Sequence, residues 1–344
     1  MINNNKKIWL SQLHNPIKEA AFIVASPFQA ICALEAISFF KVQKADFYVL
    51  TEGVSSKMTL DFLLKQGYHG ELRPCEGNAY LLKWLKNGHK KYDYIFVGDY
   101  FFGNILYVWL WSNRGANIVY LDDGNSTLDL LLPTPRDRFG AYESWKKRLS
   151  CRIYSFFKDL KRVNRCFYSI FDLEGRGFPY PSIKNNFEVL KREIDNTSTK
   201  GVYIIGTNTS GLGIDKGVFI KNLGYIKDHV SQLGLQDSIN YCPHRRDENN
   251  YEEELKKMGI KVFHTEVSVE VDFIRKRLSP LYVFGFGSTA MITLKFLFPQ
   301  ANVINFIMHT NNSEIDSEYR ELENEYSKYG IPEVEIEQLN DLQI

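Results

Sequence analysis

Between Tyr241 and Asp247 the sequence reads Tyr-Cys-Pro-His-Arg-Arg-Asp. His244 can hold or release a proton near neutral pH, and Arg245 and Arg246 supply planar forks of donors suited to phosphate. The preceding Ser238-Ile239-Asn240-Tyr241 reads as the end of a strand, so Pro243 and the groups after it would stand at the rim of a sheet. A polar strand-to-helix loop of no special function has the same composition. Gly285-Phe286-Gly287-Ser288-Thr289 combines two glycines, Gly285 and Gly287, which let a ligand approach the backbone, with two hydroxyls, Ser288 and Thr289, that open an apolar helix. Such a loop can cradle phosphate, or it can simply be an N-cap with glycines for close packing. It is not a Walker loop, since the lysine is missing and the spacing differs.

Two further stretches carry carboxylates. The loop from Gly206 and Thr207 to Asp215 is polar and glycine-rich, and Asp215 either caps the next helix or acts as a general base. Asp122-Asp123-Gly124 pairs two carboxylates after an apolar run; a base, a metal site and a solvated turn are all compatible with it. No further ligands converge on it by spacing, so no metal is expected.

The elements that must position these groups alternate. Apolar runs at 20–25, 47–50, 94–97 and 117–121 read as strands, with helices at 30–40, 57–65 and 105–111. A second series places strands at 202–205, 239–241, 261–263, 281–284 and 302–306, with helices at 216–233, 251–258, 269–277, 289–298 and 313–329. This rhythm predicts an α/β protein of two Rossmann-like domains with parallel sheets, facing each other across a cleft. The polar run Asn196-Thr197-Ser198-Thr199 sets the expected boundary near 195, giving domains 1–195 and 196–344. All four chemical stretches follow strands, where open parallel sheets bind ligands.

Composition narrows the function. With 344 residues, 44% hydrophobic and 24% charged, two ordinary cores are affordable, and a net charge of +1 argues against a general nucleic-acid binder. Five widely spaced cysteines suit reduced thiols, and residues 1–20 lack the apolar core of a secretory signal, so a cytoplasmic location is expected. Nowhere do about 18 uncharged apolar residues run together to form a spanning helix. The segment 145–168 is locally basic, with Trp145, Leu149, Ile153, Phe156, Phe157 and Leu160 interleaved among lysines and arginines. It reads as an amphipathic helix that lies either on an anionic membrane or against its own domain.

Taken together, Ser26-Pro27-Phe28-Gln29, Tyr120-Leu121-Asp122-Asp123-Gly124, Pro243-His244-Arg245-Arg246-Asp247 and Gly285-Phe286-Gly287-Ser288-Thr289-Ala290 resemble, in order and spacing, the bacterial sialyltransferases of glycosyltransferase family 52. The resemblance spans nearly the whole chain. It implies a GT-B fold and inverting, metal-independent transfer of sialic acid from the donor substrate CMP-sialic acid to a terminal galactose of lipooligosaccharide or a similar surface glycan. It also implies that Asp122 and Asp123 face the acceptor, that His244 assists departure of the CMP phosphate, and that Ser288 and Thr289 hold that phosphate. Asp215 matches the family's base by order, with Asp123 as the second candidate. Arg245 stands where the family has proline. Peripheral contact with the inner face of the cytoplasmic membrane through 145–168, and a homodimer, are further expectations about partners. Two other functions fit the same residues: a related transferase that uses another nucleotide sugar, and a non-catalytic glycan- or membrane-associated protein of the same fold.

Overall fold

A computed structural model describes residues 15–50, 54–66, 72–75, 90–98, 115–124, 127, 164–173, 180–194, 199–307 and 325–336. The chain divides into two compact units, Met1–Val189 and Leu190–Ile344. The expected boundary near 195 falls in 195–198, outside the described residues.

In the first unit, β1 (Glu19–Val24), β2 (Lys44–Leu50), β3 (Leu72–Cys75), β4 (Tyr94–Val97), β5 (Asn117–Leu121), β6 (Arg165–Ser169) and β7 (Ser182–Lys184) form one parallel sheet of order β3-β2-β1-β4-β5-β6-β7. Helices α1 (Pro27–Phe39) and α2 (Val54–Lys65) follow β1 and β2. The central strands are apolar throughout because both faces of a parallel sheet are covered. Phe22 stacks on Phe96 and Phe47 across β4, β1 and β2, with centroids 4.4 and 5.2 Å apart. Helix α1 starts where the sequence says it should: Ser26 accepts a hydrogen bond from the Gln29 N–H, and Pro27 fills a first-turn position whose N–H would have no helical partner.

The short helix α3 (Glu188–Arg192) precedes β8 (Thr199–Ile205). In the second unit, α4 (Lys216–Gln232), β9 (Ile239–Cys242), α5 (Glu252–Lys257), β10 (Lys261–Val262), α6 (Val269–Arg275), β11 (Leu278–Gly285), α7 (Thr289–Leu297), β12 (Asn302–Ile307) and β13 (Glu333–Glu335) complete the described elements. Their sheet is also parallel, of order β10-β9-β8-β11-β12-β13. Its core packs Val202, Ile204, Phe219, Leu223, Phe284 and Ile304. The α/β class and the two parallel sheets agree with the sequence reading.

The end of the basic stretch requires a correction. Residues 165–168 are strand rather than amphipathic helix, and Arg165 is buried, donating to the Tyr180 hydroxyl at 2.7 Å. Residues 145–163, the expected helix at 105–111 and most of the one at 313–329 lie outside the described residues. Strands β3, β6, β7 and β13 were not anticipated.

On its amino-terminal side the first sheet is closed by an ionic cluster. Fully buried Asp46 accepts from the Tyr92 hydroxyl and from Lys90 Nζ at 2.7 Å, and Lys90 also reaches Glu19. The two carboxylates hold the Lys90 ammonium charged far above its ordinary range, outweighing the opposing effect of burial. Asp46→Ala would leave the buried Tyr92 hydroxyl with only the Tyr48 hydroxyl, 3.0 Å away, and remove one counter-charge from Lys90, so a loss of roughly 1–3 kcal/mol in urea unfolding is expected, with the slope unchanged.

Candidate functional site

Both sheets reverse direction of winding once, between β1 and β4 in the first and between β8 and β11 in the second. At such a switch point the connections leave to opposite faces, which opens a crevice beyond the carboxyl ends of the strands. In the second unit the three neighbouring strands β9, β8 and β11 end there in Pro243–Asp247, Gly206–Asp215 and Gly285–Thr289. The sequence separates these loops; parallel pairing places them side by side.

The glycines of these loops have physical work to do. A Cβ on Gly206 would lie 2.6 Å from the Tyr241 hydroxyl and 2.9 Å from the Cys242 carbonyl oxygen. On Gly285 it would lie 2.3 Å from Met291 Sδ, so part of this loop's glycine content is close packing. Gly287 differs, since its φ of +69° needs glycine. Its N–H donates to Asn305 Oδ1 at 2.7 Å, and Asn305 in turn donates to Glu333 at 2.8 Å. Ser288 then caps α7, accepting from Ala290 N–H at 3.3 Å.

His244 is half-buried, and its Nδ1 accepts the Arg246 backbone N–H at 3.3 Å. That bond places the imidazole proton on Nε2. Burial first, and then the neighbouring Arg245 and Arg246 cations, pull its pKa down to about 4. At neutral pH the ligand-free imidazole is therefore an uncharged N–H donor, not an imidazolium. Arg245 and Arg246 are exposed, Pro243 is partly buried and Thr207 is buried. Asp215 is exposed and caps α4 by accepting from Val218 N–H at 3.0 Å.

In the first unit, Asp122, Asp123 and Gly124 follow β5. The two carboxylates have different surroundings. Asp122 is fully buried, accepts from Ser169 Oγ at 2.5 Å and from Ile170 N–H at 2.7 Å, and ties β5 to the end of β6. Burial pushes its pKa up to about 6 despite these donors. Asp123 is only partly buried and accepts from the side-chain amide of Gln29, whose Oε1 takes the Ala25 N–H at 2.7 Å. Gly98, after β4, is confined by the same amide: a Cβ there would lie 2.3 Å from Gln29 Oε1. The ends of β1, β4 and β5 thus meet on Gln29, whose residue type carries no signal of this role in the sequence. Gly124 adopts a φ of +58°, which suits the turn after the carboxylates.

No protein-family model matches this chain, and no curated protein sequence does. Among solved structures it is similar to an α/β-galactoside α-2,3-sialyltransferase from the luminous marine bacterium Photobacterium phosphoreum, with 10% identity and a TM-score of 0.52 over 96% of this chain and 100% of that one. It is also similar to a UDP-N-acetylglucosamine 2-epimerase, with 9% identity and a TM-score of 0.54 over 95% of this chain and 86% of that one. At these identities the likeness is one of fold: two Rossmann-like parallel sheets of the GT-B type.

The buried carboxyl has a measurable signature. Folded Asp122 keeps its proton up to about pH 6, whereas an unfolded aspartate loses it near pH 4. Its contribution to stability is therefore complete below about pH 4, declines as pH rises towards about 6, and is constant above that. Asp122→Asn has no proton to lose, so the stability difference, variant minus wild type, should grow by roughly 3 kcal/mol across that window and then level off in denaturant titrations at stepped pH.

Proposed function

We propose that the chain is an inverting, metal-independent sialyltransferase that moves sialic acid from CMP-sialic acid to a terminal galactose of lipooligosaccharide or a similar surface glycan. One observation carries this reading. The rim formed by β9, β8 and β11 gathers His244 with its proton on Nε2, two exposed arginines and the amino terminus of α7. These groups match the needs of a glycosyl-phosphate bond that breaks through an oxocarbenium-like state, because negative charge then accumulates on the departing phosphate. A neutral imidazole suits the step. It acts as a hydrogen-bond donor through Nε2 and stabilises the charge on the departing phosphate without giving up its proton, so CMP leaves as the phosphate anion and the galactose hydroxyl proton goes to the base.

The loops from Gly206 and Thr207, from Pro243 to Arg246, and from Gly285 to Thr289 would hold the nucleotide, and Asp123 and Gly124 the acceptor side, with buried Asp122 fixing their turn rather than touching the acceptor. Asp215 is the first candidate for the base that takes the galactose hydroxyl proton, since it is exposed and uses one oxygen to cap α4. Asp123 is the second. The fold shared with a solved sialyltransferase supports this reading, and the fold shared equally with a UDP-N-acetylglucosamine 2-epimerase keeps another nucleotide sugar as the alternative. Contact with the inner face of the cytoplasmic membrane through 145–168, and a homodimer, belong to the same proposal; sedimentation with anionic vesicles and light scattering test them. No described helix is long and apolar enough to cross a membrane.

Mass spectrometry of a reaction with CMP-sialic acid and lactose should detect sialyl-lactose; the absence of both product and donor hydrolysis would overturn the proposal. His244→Ala should lower kcat by about 100-fold or more with the fold retained. CMP should raise the melting temperature more than UDP or GDP does, and the reverse order would favour the alternative donor.

A further inference from the structure

The loops after β8 and β9 are joined by more than their strands. Thr209, fully buried, donates its hydroxyl proton to the Asp247 carboxylate, with Oγ1 2.9 Å from each carboxylate oxygen. The same oxygen accepts from the Asn249 side-chain amide at 2.9 Å and lies within hydrogen-bond reach of the Tyr251 hydroxyl. Either hydroxyl can be the donor in that pair, and the Tyr251 hydroxyl also hydrogen-bonds Asp247 and Asn249, so the four side chains form one partly buried network. Asp247 also accepts Ser210 N–H at 3.0 Å, and Ser210 Oγ accepts Glu248 N–H at 3.0 Å. On its other side, the Asp247 backbone N–H donates to the His244 carbonyl oxygen at 3.0 Å, which closes the tight turn in which Arg246 N–H meets His244 Nδ1.

We infer that Asp247 and Thr209 are a positioning pair that acts through His244, locking the turn after β9 to the loop after β8 so that the imidazole keeps its proton on Nε2. The pair touches no reacting atom. Its effect is to fix one orientation and one tautomer of the group that meets the leaving phosphate, and so the inference rests on the proposed function for its chemical consequence. Its structural content is independent of that reading. A displacement of about 1 Å in a reacting group can cost about 100-fold in rate, so a clasp of this kind is worth conserving buried polar groups for. Asn at 247 keeps an acceptor for Thr209 and for Ser210, whereas Ala keeps neither.

Two measurements test the pair. The first needs no reaction: side-chain nitrogen spectra of histidine-labelled full-length protein, with the His244 signal assigned by its loss in His244→Ala. The wild type should show the Nε2–H tautomer, Asp247→Asn should preserve it, and Asp247→Ala and Thr209→Val should each give a mixture of tautomers with a shifted titration midpoint. Arg245, Arg246 and residue 247 are the charged neighbours whose electrostatic effect the Asn variant separates from loss of the clasp. Should Asp247→Ala fail to fold, Thr209→Val against Thr209→Ser carries the comparison. An unchanged tautomer and titration in the clasp-breaking variants would overturn the inference, whatever reaction the protein performs.

The second measurement uses turnover. Asp247→Ala should lower kcat by roughly 10- to 100-fold with donor KM little altered, and Asp247→Asn should restore most of the loss. In a His244→Ala background, Asp247→Ala should cost nothing more. A further loss there, of the size seen in the wild-type background, would mean that Asp247 does not act through His244, and the inference would fail while the proposed transferase stood. No turnover by the wild type, with the tautomer results as expected, would remove the proposed function and leave the clasp.

Discussion

In a parallel sheet all carboxyl ends lie on one edge, and when the winding reverses, that edge gains one place where two neighbouring connections leave in opposite directions. Nearly everything of chemical interest in the described chain follows from this constraint. The order β10-β9-β8-β11-β12-β13 brings residues 206, 243 and 285 to adjacent strand ends although they are dozens of positions apart. The order of the first sheet does the same for Gln29, Gly98 and Asp123. No motif needs to be long, because the sheet supplies the proximity that the sequence does not contain.

What could be read from the sequence, and what could not, divides along that line. Strands 94–97 and 117–121 match to the residue, since an apolar run with polar flanks is the pattern that burial on both faces imposes. The short edge strands escaped: β7 reads Ser-Ile-Lys, β13 Glu-Val-Glu, and β3 carries Pro74, which an edge tolerates because half its backbone groups lack a ladder partner. Strand β6 was misread for a different reason. Arg165 looks like a surface cation, yet it is buried with its guanidinium 5.4 Å from the centre of the Tyr180 ring and bonded to that hydroxyl, a pairing that only the folded sheet provides.

The site shows a similar division. Residue types located His244, the capping role of Asp215 and the turn at Asp122-Asp123-Gly124, since each depends on local chemistry. They could not separate the two aspartates: one is sealed among Ser169 and Ile170, the other held by an amide 94 positions away in sequence. Nor could they find Thr209 and Asp247, 38 positions apart, or predict that burial and two arginines would leave His244 uncharged. Charge state and orientation are products of packing, and residue identity limits them only loosely.

The first sheet has two rims of different character. On the amino side, Lys90 and Lys44 neutralise Asp46 and Glu19 in a closed cluster; on the carboxyl side, Gln29 is tied to Ala25 and Asp123, and Asp122 to Ser169 and Ile170, by directional hydrogen bonds. Sequence drift at the first rim is therefore felt as a change in how much folded protein exists, and drift at the second as a change in how the loops after β1, β4 and β5 are held together. A lineage carrying this fold can strengthen one rim and then spend the surplus stability on experiments at the other.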